Sequence, residues 1–578
     1  MNVLGISAFF HDAAACLIRD GEIVAAASEE RFSRIKHDPA FPRRAIDYCL
    51  SEGKLLVDDL DCIGFYEKPL IKFKRILFSQ VGTFPRSYRS FLTAIPSWLQ
   101  QKLTIPQGIQ EELQYDGPIY MIEHHLSHAA SAFLASPFQE AAVLTVDGVG
   151  EWSTATWGYA QGTSIDILHE IRFPHSLGLL YSAFTSYLGF KVDSAEYKVM
   201  GLAPYGVPRY QDKVRQLIEV ADDGSFQLDM SYFAYHYGLE MTSEKFHQLF
   251  GGPPREPEGP LEQYHRDIAA SVQAVTEDVM LLMARNLHRE TGAANLCLAG
   301  GVALNCVANG RIAAEGPYQE LFVQPASGDA GGALGVAAFV SHNLFDVPRR
   351  GAMKHAFLGP SYGTEEIRAL LDTQGMVFEE FEDDDLVAAT VRALAEQKVV
   401  GWFQGRMEFG PRALGARSIL ADPRRPENRD AVNLKIKFRE SFRPFAPAVP
   451  AERAAEFFEL EHPSPFMGLV SKVRNGEDRI PAVTHVDGSA RLQTVERDTN
   501  PLFHALLEAW GQHTGIPVLI NTSFNVRGEP IVCSPLQAVE CFLSTQMDLL
   551  VIDRFVLRRE DQVAAAPAGS VPDTVVLD

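Results

Sequence analysis

A chain of 578 residues exceeds one ordinary hydrophobic core, so two or more domains are expected. Its 46% apolar and 22% charged residues are those of a soluble globular protein. A formal net charge of -22 excludes a general nucleic-acid or membrane-surface role, which needs an excess of Lys and Arg.

The N-terminal stretch "MNVLGISAFFHDAAACLI" lacks a basic n-region and carries His11 and Asp12 inside its apolar run, so it reads as a strand entering a turn and not as a signal peptide. It opens the unit "VLGISAFFHDAAACLIRDGEIVAAASEERFS": a strand, a loop with Asp, a second strand, a Gly turn and a third strand ending in Glu-x-Arg-Phe. "AVLTVDGVGEWSTATWGYAQGTSIDILHEIRFP" has the same order of elements, which fits either a repeated three-strand meander or two unrelated ones. Between them, residues 67–115 are rich in aromatic and basic side chains without strand alternation and predict a helical insertion.

In "EHHLSHAASAF", His124 and His128 stand at i and i+4 of a predicted helix, a spacing that suits two ligands of one metal ion. Two hydrogen-bonded core histidines at a helix start also fit. Carboxylates must decide between them. Asp147 ends the strand "AVLTVD", and Asp329 sits in the loop "SGDAGGALG", where its burial demands a partner. A His-His-Asp-Asp set suits Zn2+ or Fe2+.

"SAEYKVMGLAPYG" leads into an irregular, Pro- and aromatic-rich stretch up to about residue 260, followed by a long helical pattern over 261–291. "NLCLAGGVALNCVANGRI" then gives a strand, a glycine pair and a helix, and "LFVQPASGDAGGALGVAAFV" repeats that grammar with Asp329 and three glycines at the turn. Such turns aim backbone N–H groups and a helix N-terminus at an anion, although one Gly-Gly pair alone can be a tight turn. With "VDGVG" they favour a phosphate-bearing ligand.

Residues 1–345 thus form a first domain, and the Pro-, Gly- and Arg-containing segment 346–365 reads as a linker. Helix and strand patterns alternate through a second α/β domain, 366–560, and 561–578 read as a disordered tail. Within 401–450, ten Lys or Arg stand against five Asp or Glu. A solvated helix face is the ordinary explanation, but these arginines are interleaved with Phe, Pro and Gly, a setting for bidentate phosphate binding. "PVLINTSFNVRGEPIV" adds a strand followed by Asn521, Ser523 and Arg527. The seven cysteines are scattered, odd in number and lack a C-x-x-C pair, which indicates reduced thiols in a cytoplasm. No apolar run approaches the roughly 20 residues of a membrane helix.

"HHLSHAASAF", "VDGVGEWST", "EYKVMGLAPYG", "LAGGVALN" and "SGDAGGALG" resemble, in this order, the NodU/CmcH family of O-carbamoyltransferases, which includes the tobramycin and cephalosporin carbamoyltransferases. The resemblance runs from residue 3 to about residue 555. It implies a first domain with the actin-like (ASKHA) fold of duplicated RNase H-like halves, similar to the universal tRNA threonylcarbamoyl transferase, and a YrdC-like α/β second domain. It implies that His124, His128, Asp147 and Asp329 ligate Fe2+ or Zn2+, and that Gly148, Glu196, Lys198, Gly300, Gly301, Asn305 and Gly328 lie against a carbamoyl adenylate. It also implies that His11, with Asp12, serves the acceptor hydroxyl, for which an imidazole is chemically suited. A His11 that only hydrogen-bonds the turn backbone remains an alternative. In the second domain the resemblance places Arg412, Arg417, Lys437, Arg439, Arg443, Asn521, Ser523 and Arg527 around carbamoyl phosphate and Mg2+-bound ATP.

The implied activity is ATP-dependent transfer of a carbamoyl group from carbamoyl phosphate to a hydroxylated small molecule, a sugar or natural product. The expected enzyme is a cytoplasmic monomer or homodimer with neither nucleic-acid nor membrane partners. A threonylcarbamoyl-type tRNA enzyme, an ASKHA-fold small-molecule kinase and a nucleotide sensor are the competing classes. The basic second domain and net acidity weigh against the first, the His-His-Asp-Asp set against the second, and pyrophosphate release would exclude the third.

Overall fold

The computed structural model describes residues 1–98, 102–437 and 442–562. The chain divides into two compact units: Met1–Glu29 with His37–Met353, and Glu30–Lys36 with everything from Lys354 onward. The second unit therefore borrows a short segment from the N-terminal part of the sequence, which a single cut near residue 345 does not anticipate.

The first unit holds two five-stranded sheets. One contains β1 (Asn2–Ser7), β2 (Ala14–Arg19), β3 (Glu22–Ser28), β4 (Cys62–Phe65) and β5 (Ile119–Met121), in the order β3-β2-β1-β4-β5. The other contains β6 (Glu140–Val146), β7 (Ser153–Gln161), β8 (Ser164–Arg172), β9 (Asn295–Ala299) and β10 (Glu320–Val323), in the order β8-β7-β6-β9-β10. In both sheets the first three strands pair antiparallel, and the last two join parallel to the first. The two meanders are one repeated unit, since the two sheets share one order of strands.

Helix α1 (His124–Phe133) and helix α2 (Asp329–Phe339) pack closely beside these sheets. The small residues of "DAGGALGVAAF" explain how. A Cβ at Gly335 would lie 1.8 Å from the Ser127 carbonyl oxygen, and one at Gly5 of β1 would lie 1.9 Å from that of Ala333. Only bare backbone permits such approaches. Of the glycines around Asp329, Gly328 stands at the start of α2, while Gly331 and Gly332, with Gly335, lie within the helix as packing residues. Strand-end Asp147 and helix-start Asp329 are brought to the His helix by this packing.

The insertion over 67–115 is helical, with helices Pro69–Gly82, Tyr88–Ser97 and Ile105–Leu113. The stretch to residue 260 holds short helices and one ribbon pairing Ile218–Val220 with Phe226–Leu228. The long helix spans Gln263–Thr291.

The second unit is built on a mixed eight-stranded sheet ordered Glu379–Glu380, Phe555–Arg558, Leu549–Ile552, Val400–Phe403, Arg417–Ala421, Leu519–Ser523, Ala446–Pro450 and Gln493–Val495. Side chains alternate between its faces. Trp402, Leu420 and Leu519 pack under helices Asp383–Ala395 and Pro501–Thr514. Phe403, Ile419 and Ile520 cluster with residues of helices Thr364–Thr373 and Pro535–Ser544. The segment Glu30–Lys36 joins this unit through Arg31, which donates to the Gly410 carbonyl (2.8 Å), and Arg34, which donates to those of Pro530 and Ile531 (both 2.7 Å). All seven cysteines are buried and free. Among the described residues no helix is long and apolar enough to cross a membrane. Of the expected tail, residues 563–578 lie outside the described residues.

Candidate metal centre and active site

The i, i+4 spacing does on α1 what the sequence suggested: His124 and His128 are both buried on one face, with their Nε2 atoms 3.1 Å apart. Asp147, one residue beyond β6, brings Oδ2 to 3.1 Å from His124 Nε2 and 4.0 Å from His128 Nε2. Asp329, the first residue of α2, brings Oδ1 to 3.7 Å from each ring. One donor atom from each of the four residues falls within 4.8 Å of all the others. The opposite carboxylate oxygens are held in place: Asp147 Oδ1 accepts from the Gly301 N–H (2.7 Å), and Asp329 Oδ2 from the Tyr66 hydroxyl (3.3 Å).

The electrostatics agree with a cation site. Burial, reinforced by the neighbouring His128 ring, holds the His124 imidazole well below its ordinary value, and burial lowers His128 as well. Both rings are therefore neutral and offer lone pairs. Burial works against a charge on Asp147, but the hydrogen bond with His124 outweighs it and keeps the carboxyl well below the usual range. Burial pushes Asp329 up to about 7, with His11 opposing and Asp147 adding to the shift. Two neutral imidazoles with two buried carboxylates are the borderline donor set of a divalent transition ion. One departure stands out. The Nδ1 atoms of His124 and His128 are buried without the hydrogen-bond partner that commonly orients a ligating imidazole.

His11 and Asp12 form the turn between β1 and β2, with Asp12 in the left-handed region at φ 58°. Asp12 Oδ2 lies 3.3 Å from His11 Nδ1, and its Oδ1 lies 2.7 Å from His37 Nδ1. Burial opposes a charge on Asp12, yet His11 and His37 hold it far below the carboxylate range. Burial likewise opposes a charge on His11, but Asp329 and Asp12 push the imidazole up to about 10. The ordinary imidazole value expected from sequence is therefore displaced upward by these carboxylates.

The expected nucleotide residues separate into groups. Gly300, at φ +90°, leaves no room for a side chain, since a Cβ would sit 2.3 Å from the Val146 carbonyl oxygen, and Gly301 contacts Asp147. Gly328 caps α2 immediately before Asp329. The Gly148 carbonyl accepts from Ser176 Oγ (2.7 Å). Glu196 accepts from Ser182 Oγ (2.8 Å) and the Asp193 N–H (3.0 Å), and Lys198 is fully buried with Nζ 5.5 Å from the Phe190 ring centre. Asn305 serves the fold: it caps helix Cys306–Glu315 through Ala308 N–H and exchanges amide hydrogen bonds with Gln273.

In the second unit two of the expected phosphate ligands make extensive contacts within the fold. Arg417 is fully buried, with Nη1 donating to the carbonyls of Gln404 (2.9 Å), Gly405 (3.1 Å) and Ala416 (3.0 Å), and Nη2 to Pro360 (3.0 Å). Its guanidinium stacks 3.6 Å from the Phe403 ring centre. It is a scaffold residue because buried carbonyls already hold its donors. Arg417→Ala should lower unfolding free energy by roughly 2–4 kcal/mol, read by denaturant titration, because it leaves several buried carbonyls without their donor. Asn521, also buried, donates to Gln493 Oε1 (2.7 Å) and the Ala413 carbonyl (3.3 Å) and so ties two strands and a loop together. Lys437 and Ser523 do come together, with Nζ donating to the Ser523 carbonyl, to Ser523 Oγ (3.1 Å) and to Asn525 Oδ1 (2.6 Å). Arg412, Arg443 and Arg527 are half-buried. Arg439 lies outside the described residues.

Residues 2–338 match the family model "Carbamoyltransferase N-terminus", and residues 391–559 match "Carbamoyltransferase C-terminus". The chain belongs to the carbamoyltransferase family. Nodulation protein NolNO of Sinorhizobium fredii is 40% identical over 95% of this chain and 79% of its own length. Nodulation protein NolO of Bradyrhizobium diazoefficiens is 41% identical over 78% of this chain and 82% of its own. The uncharacterized protein sll1178 of Synechocystis is 50% identical over 97% of both chains. This carbamoyltransferase is a group-transfer enzyme, and the buried cluster and its surroundings are the place to seek its chemistry.

Four residues of this carbamoyltransferase went unread in the sequence. Glu151, within the quoted motif "VDGVGEWST", accepts from the backbone N–H of His124 (3.1 Å) and of Lys68 (2.7 Å), fixing the start of the His helix. Tyr66 and His37 show themselves only when the fold brings them to Asp329 and Asp12. Glu408 Oε1 accepts from the N–H groups of Leu414 (2.6 Å), Ala416 (2.8 Å) and Arg417 (3.2 Å), shaping the basic loop. Its signal was a lone acid amid arginines and glycines.

Proposed function

We propose that this carbamoyltransferase uses ATP and carbamoyl phosphate to carbamoylate a hydroxyl of a sugar or natural product. Two observations support the reading: the match to both carbamoyltransferase models, and a buried four-donor cluster beside a raised histidine. The second unit is read as YrdC-like. There carbamoyl phosphate is hydrolysed to carbamate and phosphate, and a carbamate oxygen attacks the α-phosphorus of Mg2+-bound ATP to give carbamoyl adenylate and pyrophosphate. Arg412, Arg443 and Arg527, together with Lys437 and Ser523, are the residues proposed to hold these phosphates. Their number suits two anionic substrates.

In the first unit, His124, His128, Asp147 and Asp329 would hold Fe2+ or Zn2+, whose chemistry is Lewis-acid polarisation of the bound adenylate. Gly300 and Gly301 present bare backbone to the adenylate, and β6 aligns that turn with the cluster. His11 accepts the acceptor's hydroxyl proton as its oxygen attacks the carbonyl carbon. The C–O bond to adenylate breaks, AMP leaves, and a carbamate ester forms. Asp12, held between His11 and His37, orients the imidazole. Keeping carbamate and its adenylate away from water guards both against hydrolysis.

The test is pyrophosphate exchange into ATP, with mass spectrometry of products from hydroxylated acceptors. Exchange should require carbamoyl phosphate, and Arg443→Ala should abolish it while still transferring carbamoyl from adenylate supplied directly. A wild-type enzyme without carbamoyl-phosphate-dependent exchange would overturn the ATP-dependent route.

A further inference from the structure

The helical insertion buries two cations beside the candidate active site. Lys72 and Arg75 stand three residues apart on helix Pro69–Gly82, share a face, and are 6% and 7% exposed. Lys72 pairs with Glu67, and its Nζ lies 5.1 Å from the centre of the Phe10 ring, itself 4.4 Å from the His11 ring. The Lys72 charge also acts on Asp329, which places this helix within electrostatic reach of the cluster.

Arg75 differs from Lys72 in lacking a carboxylate. Its guanidinium lies over the Phe173 ring at 4.9 Å. Its Nε is buried without a hydrogen-bond partner, and among the described residues its side chain makes neither a hydrogen bond nor an ion pair. The two acids that act on it are engaged elsewhere: Glu67 with Lys72, and Glu151 with the backbone N–H groups of Lys68 and His124. A third cation, Lys102, has its pKa lowered by burial and, secondarily, by the charge of Lys72. A largely buried guanidinium whose Nε has no acceptor is costly unless something supplies one. The exposed Phe10 edge connects this face of the helix to His11.

We propose that the acceptor of this carbamoyltransferase carries an oxyanion, a phosphate, sulfate or carboxylate, that Arg75 binds while the acceptor's hydroxyl lies at His11. This rests on the first unit being the transfer site. Oxyanions match a guanidinium fork bidentately, and Phe10 and Phe173 supply flat apolar surface for the body of the molecule.

The experiment uses the full chain with ATP, carbamoyl phosphate and four acceptors: glucose, glucosamine, glucuronate and glucose 6-phosphate. Carbamoylated product is followed by mass spectrometry, and pyrophosphate exchange is followed in parallel. The acidic pair should be preferred, with the better of the two identifying carboxylate or phosphate. Arg75→Gln should raise KM for it roughly 10-fold or more with kcat nearly unchanged, since a remote charge-assisted contact contributes uniform binding. Arg75→Lys should restore part of that loss, and exchange should be the same in all three proteins. Absent exchange in the wild type would count against the ATP-dependent route and leave the anion site standing. Crystals soaked in selenate provide a readout that needs no turnover: anomalous density at Arg75 in the wild type, lost in Arg75→Gln. Equal use of glucose or glucosamine, an unchanged KM in Arg75→Gln, or selenate absent from Arg75 while other sites fill would overturn the proposal.

Discussion

His128→Ala should leave the purified protein without its tightly held transition-metal ion and without carbamoyl transfer, while pyrophosphate exchange in the second unit continues. The expectation follows from geometry. His128 Nε2 sits 3.1 Å from His124 Nε2 and 3.7 Å from Asp329 Oδ1, so removing it leaves three donors and two buried carboxylates with less to balance them. Removing a group that orients a ligand typically costs 10- to 100-fold in metal affinity, and loss of a ligand itself should exceed about 100-fold. Elemental analysis should find about one ion per wild-type chain, and circular dichroism reports whether the variant is folded. A stoichiometric metal retained in both His124→Ala and His128→Ala would remove these residues from the site. His125 supplies the internal control. Its Nδ1 lies 2.7 Å from Thr145 Oγ1, it stands outside the four-donor group, and its alanine variant should keep the ion.

That cluster was legible because its parts obey local rules. An i, i+4 pair needs only a helix, Asp147 needs only a strand that ends before it, and Asp329 needs only the next turn. The repeat was legible for the same reason, since two meanders of equal element order fold into two sheets of equal topology. What failed were roles set by distant partners. Arg417 looks like a phosphate ligand in "GRMEFGPRALGARSIL", yet carbonyls from residues 360, 404, 405 and 416 surround it. Asn305, which the resemblance sets against the nucleotide, also joins Gln273, 32 residues away, through its amide. The glycines of "DAGGALG" looked like an anion loop, and they are contacts between α2 and its neighbours. Residues 30–36 carry no local signal that they belong to the second unit, because that depends on Gly410, Pro530 and Ile531.

His11→Asn should slow acceptor carbamoylation by roughly 10²- to 10⁴-fold, the usual range for losing a general base, and leave pyrophosphate exchange intact. Asparagine can keep a hydrogen bond to Asp12 but cannot take a proton from a hydroxyl. The pH dependence adds a second handle, and its sign is fixed by the direction of the shift. A base acts only when unprotonated, so transfer should rise with pH through the His11 pKa. Asp329 and Asp12 push that value up to about 10 when no cation neutralises the cluster. A dication on Asp147 and Asp329 would draw off much of the Asp329 contribution, but Asp12 remains 3.3 Å away in either case. The midpoint should therefore fall above the ordinary imidazole value of about 6.5 and not exceed about 10. Asp12→Asn should shift it downward, because the nearest negative charge is then gone, whereas a structural His11 would give a profile indifferent to Asp12. Thermal stability measured beside single-turnover transfer separates the two roles. Normal transfer in a stable His11→Asn enzyme, or a wild-type midpoint below 6.5, would end the assignment of His11 as the base.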